Sequence, residues 1–207
     1  MSGVWIVLIT ALLMLAASPS EAHRISTRSG PAPQGVSIPS LTHGQMVVIG
    51  DNLPAIRALA GARVGFDLTT WRLEDYLNLQ SFACLWGVVP GAITDENSPF
   101  NECAHAYLAA GRALLLQLAH EPGADHRAID ALIAKIEVEM LAGGASLNLC
   151  RYSDEPFNTN EIIWPHWGMA PFHPPTLAAF GAVFTLFAAG VFGLMQATTP
   201  RGVRGVA

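Results

Sequence analysis

A stretch of twenty residues without a charge, Thr176–Met195, sets the first constraint on this chain. A helix rises about 1.5 Å per residue, so the stretch would span about 30 Å, the thickness of a bilayer's hydrocarbon core. Arg201 and Arg204 follow it, and the nearest preceding cation is Arg151. Because Lys and Arg are enriched on the cytoplasmic side of membrane helices, the pattern predicts a C-terminal transmembrane helix with the preceding domain outside the cytoplasm.

The N-terminus carries a second apolar run, of fourteen residues at 4–17. It is short for a membrane span and typical of a secretory signal, and Ser20-Glu21-Ala22 has small residues at both key positions of a cleavage site. Arg24 and Arg28 follow the run and no cation precedes it, so the same rule applied to this run alone would keep the domain in the cytoplasm. We expect a signal peptide over 1–22; the alternative is an uncleaved anchor with its N-terminus inside the cell, which also leaves the domain outside.

The charge of the central region excludes two kinds of partner. Residues 36–174 contain fifteen acidic and seven basic side chains, a net charge near −8. A nucleic-acid surface needs clustered cations, and so does docking on anionic lipid through a basic face. The sequence also has no glycine-rich phosphate loop, G-x-S-x-G, H-E-x-x-H or EF-hand motif.

Apolar residues at helical spacing, preceded by capping residues, predict four helices and almost no strand. We expect an all-α fold: a small bundle of about four helices, antiparallel across short loops, outside the membrane. The predicted helices are 53–62 after a cap at Asp51 or Asn52, about 70–85 after a cap at Thr70, about 98–119 beginning at Ser98-Pro99, and 125–141. The run Met46–Ile49 predicts a short strand or buried turn, and Glu161–Trp164 one helical turn.

These assignments divide the chain into six parts. They are a signal peptide over 1–22, a flexible Ser/Gly/Pro-rich linker over 23–40, a helical extracytoplasmic domain over 41–163, an aromatic juxtamembrane segment over 164–175, a transmembrane helix over 176–196 and a cytoplasmic tail over 197–207. The expected location is a bacterial-type inner membrane, crossed once, with the domain on the periplasmic or extracellular side.

Cys84 and Cys103 lie at similar heights on two helices that a short loop joins. Their positions, about one turn before and one turn after the loop, make a disulfide sterically reasonable. Two ordinary buried thiols are the alternative. Pairing would leave Cys150 as a free thiol.

Glu102 and His105 have the spacing of a metal-binding motif. The pattern Glu-x-x-His places a carboxylate and an imidazole on one helix face. With Glu139 or Glu137 of the next helix they form a candidate metal site, although di-iron bundles carry this motif twice. A hydrogen-bonded pair near a helix end is the ordinary alternative. A second idea is copper chelation by His23, if cleavage follows residue 22 and frees its α-amine.

Two features near the membrane predict contacts there. Trp164 and Trp167 lie in an aromatic, proline-rich segment suited to the headgroup region; docking of a neighbouring subunit is the alternative. Within the span, small residues recur at three- and four-residue steps and predict helix association: Ala178, Ala182, Thr185, Ala189 and Gly193.

We therefore expect a non-catalytic accessory or interaction subunit of a membrane protein complex, with no cofactor. Its partners would be membrane lipid and another membrane protein, not nucleic acid. The alternative is a metal-dependent or redox enzyme that uses Glu102 and His105. A ligand-sensing or chaperone-like domain is a third possibility, which no specific residue supports.

Overall fold

The computed structural model describes residues 35–154 and 156–198. The predicted signal peptide, His23 and most of the cytoplasmic tail lie outside these residues. Within them the chain forms five α-helices: α1 His43–Ala62, α2 Leu68–Ala83, α3 Asn101–Leu118, α4 His126–Ala142 and α5 Pro174–Thr198. Three short 3-10 helices, Leu85–Gly87, Ala145–Leu147 and Trp167–Phe172, and two two-residue strands complete the described part. The mostly helical fold that the sequence predicts is therefore confirmed.

Helix α3 is the centre of the domain. Thirteen of its eighteen residues are buried, and burial is continuous from Cys103 to Gly111, so the helix is enclosed on all sides. It contacts α1, α2 and α4. A Cβ atom on Gly111 would lie 2.9 Å from a methyl group of Leu53, so a larger residue here would require the end of the Leu53 side chain to shift.

Helix α1 begins ten residues earlier than predicted, and the expected strand or turn at Met46–Ile49 is wrong. Thr42 and Gln45 form a capping box: the Thr42 hydroxyl accepts from the Gln45 N–H, and the Gln45 side chain accepts from the Thr42 N–H. Pro54 consequently lies inside α1, where it removes one backbone hydrogen bond. Burial of Ile49 and Ile56 on either side of the proline stabilises the helix there.

Two other helix starts differ from the prediction. Asp67, not Thr70, caps α2, since its carboxylate accepts from the Thr70 N–H at 2.8 Å while Thr70 itself is buried inside the helix. Ser98 and Pro99 form a turn rather than the first residues of α3, which begins at Asn101. Asp125, predicted as the first residue of the fourth helix, is the cap of α4: its side chain accepts from the Ala128 N–H.

The segments before α1 and after α4 meet in a small antiparallel sheet. Strand β1, Ser37–Ile38, pairs with β2, Phe157–Asn158, and Ile38 is fully buried. Residues 37–38, within the predicted linker, are thus part of the domain.

The predicted helical turn at Glu161–Trp164 is absent, because Gln80 binds this segment in an extended form. The buried Gln80 side chain donates to the Ile163 carbonyl at 2.6 Å and accepts from its N–H at 2.9 Å. One amide side chain therefore satisfies both backbone groups of Ile163, as a neighbouring strand would.

The hairpin of α2 and α3 brings Cys84 and Cys103 to disulfide distance, with their Cα atoms 5.6 Å apart, as the sequence predicts. Both residues are fully buried. Cys150, half-buried, is the free cysteine of the described residues.

Helix α5 differs from the other four in having no buried stripe. Over Pro174–Gln196 its mean hydropathy is 2.1, and none of the most apolar window is buried. Its length and composition suffice to cross a membrane. A core helix would be covered by the rest of the chain, and a signal sequence would lie near the N-terminus; α5 is neither.

Candidate functional site

Three ligand-type side chains from distant parts of the chain meet beside α3. One side-chain ligand atom from each of His43, His105 and Cys150 lies within 4.8 Å of the other two. The Cys150 sulfur is 3.0 Å from Nε2 of His105. We call these three residues the imidazole–thiol cluster.

The N-terminus of α1 places His43 in the cluster. Its cap residue, Thr42, donates from its hydroxyl to the Ala145 carbonyl at 2.7 Å, and the Gly44 N–H donates to the Asn148 carbonyl at 3.2 Å. A Cβ atom on Gly44 would lie 2.5 Å from the Ala145 oxygen, so the close approach requires glycine. These contacts bring the chain leading to Cys150 alongside the first turn of α1.

A tight turn after α4 fixes Cys150. Its N–H donates to the Ser153 hydroxyl oxygen at 2.8 Å, and the Ser153 N–H donates to the Cys150 carbonyl at 3.1 Å. The same hydroxyl donates toward the Cys150 sulfur at 3.4 Å. The Tyr152 ring packs against the His105 ring, with the two ring centroids 5.9 Å apart. The sulfur thus has a hydroxyl donor on one side and an imidazole on the other.

Burial controls the charge of the cluster. His105 is fully buried, and this desolvation, with the charge of His43 as a smaller cause, lowers the pKa of His105 to about 4. Its ring is therefore neutral near pH 7. Nδ1 of His105 and Nδ1 of the 6%-exposed His43 are both buried without a hydrogen-bond partner among the described residues.

A cysteine–histidine pair is also the core of a nucleophilic site. Such a site needs a third group that orients the imidazole through its second nitrogen. In the part of the chain that the structure describes, Nδ1 of His105 has no such partner. The described residues therefore supply a thiol and an imidazole without the third group of such a site.

The predicted metal set of Glu102, His105 and Glu139 is not assembled. The Glu102 carboxylate accepts from His166, and His105 faces Cys150 instead. Glu139 contacts Lys135 at 2.8 Å and the Asn52 amide at 2.8 Å; these hydrogen bonds, that of Lys135 first, hold the pKa of Glu139 below its usual value. Although Glu102 and His105 share one face of α3, each is engaged by a different segment: Glu102 by His166 and the buried His105 by Cys150. Glu137 is exposed on α4.

The junction of α5 with the domain is the second notable region. Trp167 stacks on Phe180 of α5, with ring centroids 6.4 Å apart, and both rings pack against the buried Phe100. His173, just before α5, donates from Nε2 to Asp95 at 2.9 Å and has Nδ1 2.7 Å from the Thr176 hydroxyl. The His173 bond is the main reason that the pKa of Asp95 is lowered.

The residues predicted to act at the membrane divide between two environments. Trp164 is 64% exposed, whereas the half-exposed Trp167 also supports the α5 junction. The small-residue stripe lies on the exposed length of α5: Ala178, Ala182, Thr185, Ala189 and Gly193. The Thr185 hydroxyl donates to the Gly181 carbonyl of its own helix at 2.7 Å, so the stripe offers packing rather than polar contacts.

Comparisons with protein-family models, with curated proteins and with solved structures each found no match. Function must therefore be argued from these residues.

Sequence reasoning missed His43 and Cys150 because they belong to no short motif and reach His105 only through the fold. The unpaired third cysteine was the one signal that pointed toward the cluster.

Proposed function

We propose that this protein is a single-pass membrane-anchored accessory subunit, whose acidic helical domain stands outside the cytoplasm beside a second membrane protein. The observation that carries the proposal is α5: a helix of membrane-spanning length, apolar on every face and, beyond its first turns, uncovered by the rest of the domain. In water such a surface would drive aggregation, whereas in lipid it needs no cover.

The junction supports an anchor that is held firmly to its domain. Phe100, Trp167 and Phe180 form a ring cluster at the first turns of α5, and His166 and His173 add contacts to Glu102 and Asp95. The exposed Trp164 beside it suits the headgroup region. A domain attached in this way keeps a fixed orientation to the bilayer and to any neighbouring subunit.

The two faces of α5 differ in a way that favours a protein partner. One face carries mostly large side chains around a shallow apolar pocket: Phe184, Phe187, Val191, Phe192 and Met195, with Ala188 among them. The small-residue stripe occupies another face, where a second helix can approach closely enough for backbone packing. We place the partner helix against the stripe and lipid against the phenylalanines.

Membrane placement is tested first. We expect the full chain to remain in membranes washed with alkaline carbonate. Protease added to intact spheroplasts should digest residues 40–170. Release by carbonate, or protection of the domain without permeabilisation, would contradict the proposal.

Association is tested with a matched pair of substitutions. Ala189→Leu fills the stripe, while Ala188→Leu adds the same side chain about 100° away on the phenylalanine face. Co-purification from native membranes in mild detergent should retain a stoichiometric partner with the wild type and with A188L. With A189L we expect about a tenfold loss. A lone monomer, or equal effects of both variants, would exclude association through the stripe.

The enzyme alternative based on Glu102 and His105 gains no support, because their side chains have separate partners.

A further inference from the structure

We propose that the imidazole–thiol cluster binds one late first-row transition metal ion, Zn²⁺ or Cu⁺, through the imidazoles of His43 and His105 and the thiolate of Cys150. This site is independent of the accessory role proposed above. It also differs from the Glu102–His105–Glu139 set that the sequence predicted, with which it shares only His105.

The distances suit an ion. With metal–nitrogen bonds of about 2.0 Å and metal–sulfur bonds of about 2.3 Å, tetrahedral ligands lie about 3.3 to 3.6 Å apart. The ligand atoms of the cluster are all within 4.8 Å of one another, and the Cys150 sulfur is 3.0 Å from Nε2 of His105. Shifts of about 1 Å in the side chains would bring the three to bonding geometry.

Polar atoms left without partners give an independent argument. His43 and His105 are both more than nine-tenths buried, yet Nδ1 of each lacks a hydrogen bond among the described residues. A buried polar atom without a partner costs about 1 to 3 kcal/mol. The Cys150 sulfur faces Nε2 of His105, so an ion beside the sulfur would bind that nitrogen and leave Nδ1 of His105 unchanged. Nδ1 of His43 is the buried atom that coordination would satisfy, and an ion bound to it would offset the cost of that atom.

The donor set decides the class of ion. Two imidazoles and a thiolate are borderline-to-soft ligands, which favour zinc and copper over calcium or magnesium. The nearby carboxylates do not add a hard ligand, because Glu102 and Glu139 are bound to His166 and Lys135. The Ser153 hydroxyl directed at the sulfur resembles the outer hydrogen bonds that orient metal ligands.

Three protein ligands leave one tetrahedral position free. Cys150 is half-buried, whereas both histidines are buried, so exchange with solvent occurs on the Cys150 side. A water molecule or an outside ligand would occupy the fourth position, as in three-ligand zinc sites. The arrangement therefore suits a site that is open to exchange more than a closed structural one.

The test is cobalt titration of the full, tag-free chain in detergent after treatment with chelator and mild reductant. Co²⁺ reports a thiolate ligand through a sulfur-to-metal charge-transfer band in the near ultraviolet. We expect this band to saturate at one ion per chain. Zn²⁺ and Cu⁺ are then added in competition, and the ion that displaces cobalt at the lower free concentration identifies the preferred metal.

Variants separate this site from chance binding. Cys150→Ser should abolish the band, and His43→Gln should weaken binding at least tenfold, while the exposed His120→Gln should bind as the wild type does. Because His105 is in the core, the half-buried Cys150 is the primary variant, and circular dichroism checks that it folds. Saturating metal should also raise the melting temperature of the wild type but not of C150S. Absence of the band, or equal binding by wild type and C150S, would overturn the proposal.

Discussion

Asp95 and His173 connect the loop before α3 to the base of α5, with Oδ2 of Asp95 2.9 Å from Nε2 of the buried His173. The imidazole also has Nδ1 2.7 Å from the hydroxyl of Thr176, the buried third residue of α5. One ring thus joins a loop of the domain to the first turn of the apolar helix. The contact is one of the polar links that fix the direction in which α5 leaves the domain.

Removing the carboxylate should loosen this junction. In Asp95→Ala we expect faster hydrogen exchange at amides of residues 91–97 and 173–177, because His173 loses a partner. The increase should be about fivefold, the equivalent of one hydrogen bond of about 1 kcal/mol. Exchange measured by mass spectrometry on the full chain in detergent checks this. The exposed neighbour Glu96→Ala is the control, and an equal change there would contradict the assigned role.

Gln80 should be far more important for stability than its residue type suggests. Gln80→Leu would leave the N–H and carbonyl of the half-buried Ile163 without their side-chain partner. We expect a loss of about 1 to 3 kcal/mol in the free energy of unfolding, measured by urea titration. Gln117→Leu, which removes only a 3.4 Å contact to Asp67, should change stability by less than about 0.5 kcal/mol. Similar losses in both would exclude a special role for Gln80.

The pairing of Cys84 and Cys103 is tested by counting thiols. In chelator-treated native protein, one cysteine, Cys150, should react with an alkylating reagent, and all three should react after unfolding and reduction. The Cys150→Ser variant should have no reactive cysteine in the native state and two after unfolding and reduction. Three reactive thiols in the native wild type would contradict the disulfide.

Loss of that disulfide should lower stability by the entropy it removes from the unfolded chain. The two cysteines are 19 residues apart, which corresponds to about 3 kcal/mol. We expect Cys84→Ala/Cys103→Ala to lose about this amount in urea unfolding. Reducing agent should then affect the wild type but not the double variant.

The sequence predicts the helices well and their ends less well, for a local reason. A carboxylate at Asp67 or a capping box at Thr42 decides where a helix begins, and several polar residues near each end could have served. The disulfide was predictable, since hairpin geometry alone sets the heights of Cys84 and Cys103. For this pair of cysteines, the spacing along the chain was sufficient to predict the contact.

The candidate site was not predictable in the same way. Glu102 and His105 share a helix face, yet His166 of the 164–175 segment binds the one and Cys150 faces the other. The partners of His105 lie 62 residues before it and 45 residues after it. Only tertiary packing brings them together, including the close approach that Gly44 permits.

The burial of His105 predicts how the metal-free domain responds to acid. Its pKa is lowered to about 4 in the folded protein, against an ordinary value of 6.5. Between these values the unfolded chain binds a proton and the folded chain does not, so stability falls as the pH decreases. The contribution of His105 to the free energy of unfolding is complete above pH 6.5, and about 3 kcal/mol of it is lost by pH 4.

Urea unfolding of chelator-treated protein, followed by tryptophan fluorescence from pH 7 to pH 4.5, measures how this free energy changes with pH. We expect His105→Gln to flatten it, whatever its stability at pH 7, while the exposed His120→Gln leaves it unchanged. A constant difference between H105Q and wild type across that range would show that the titration of His105 does not contribute to the slope.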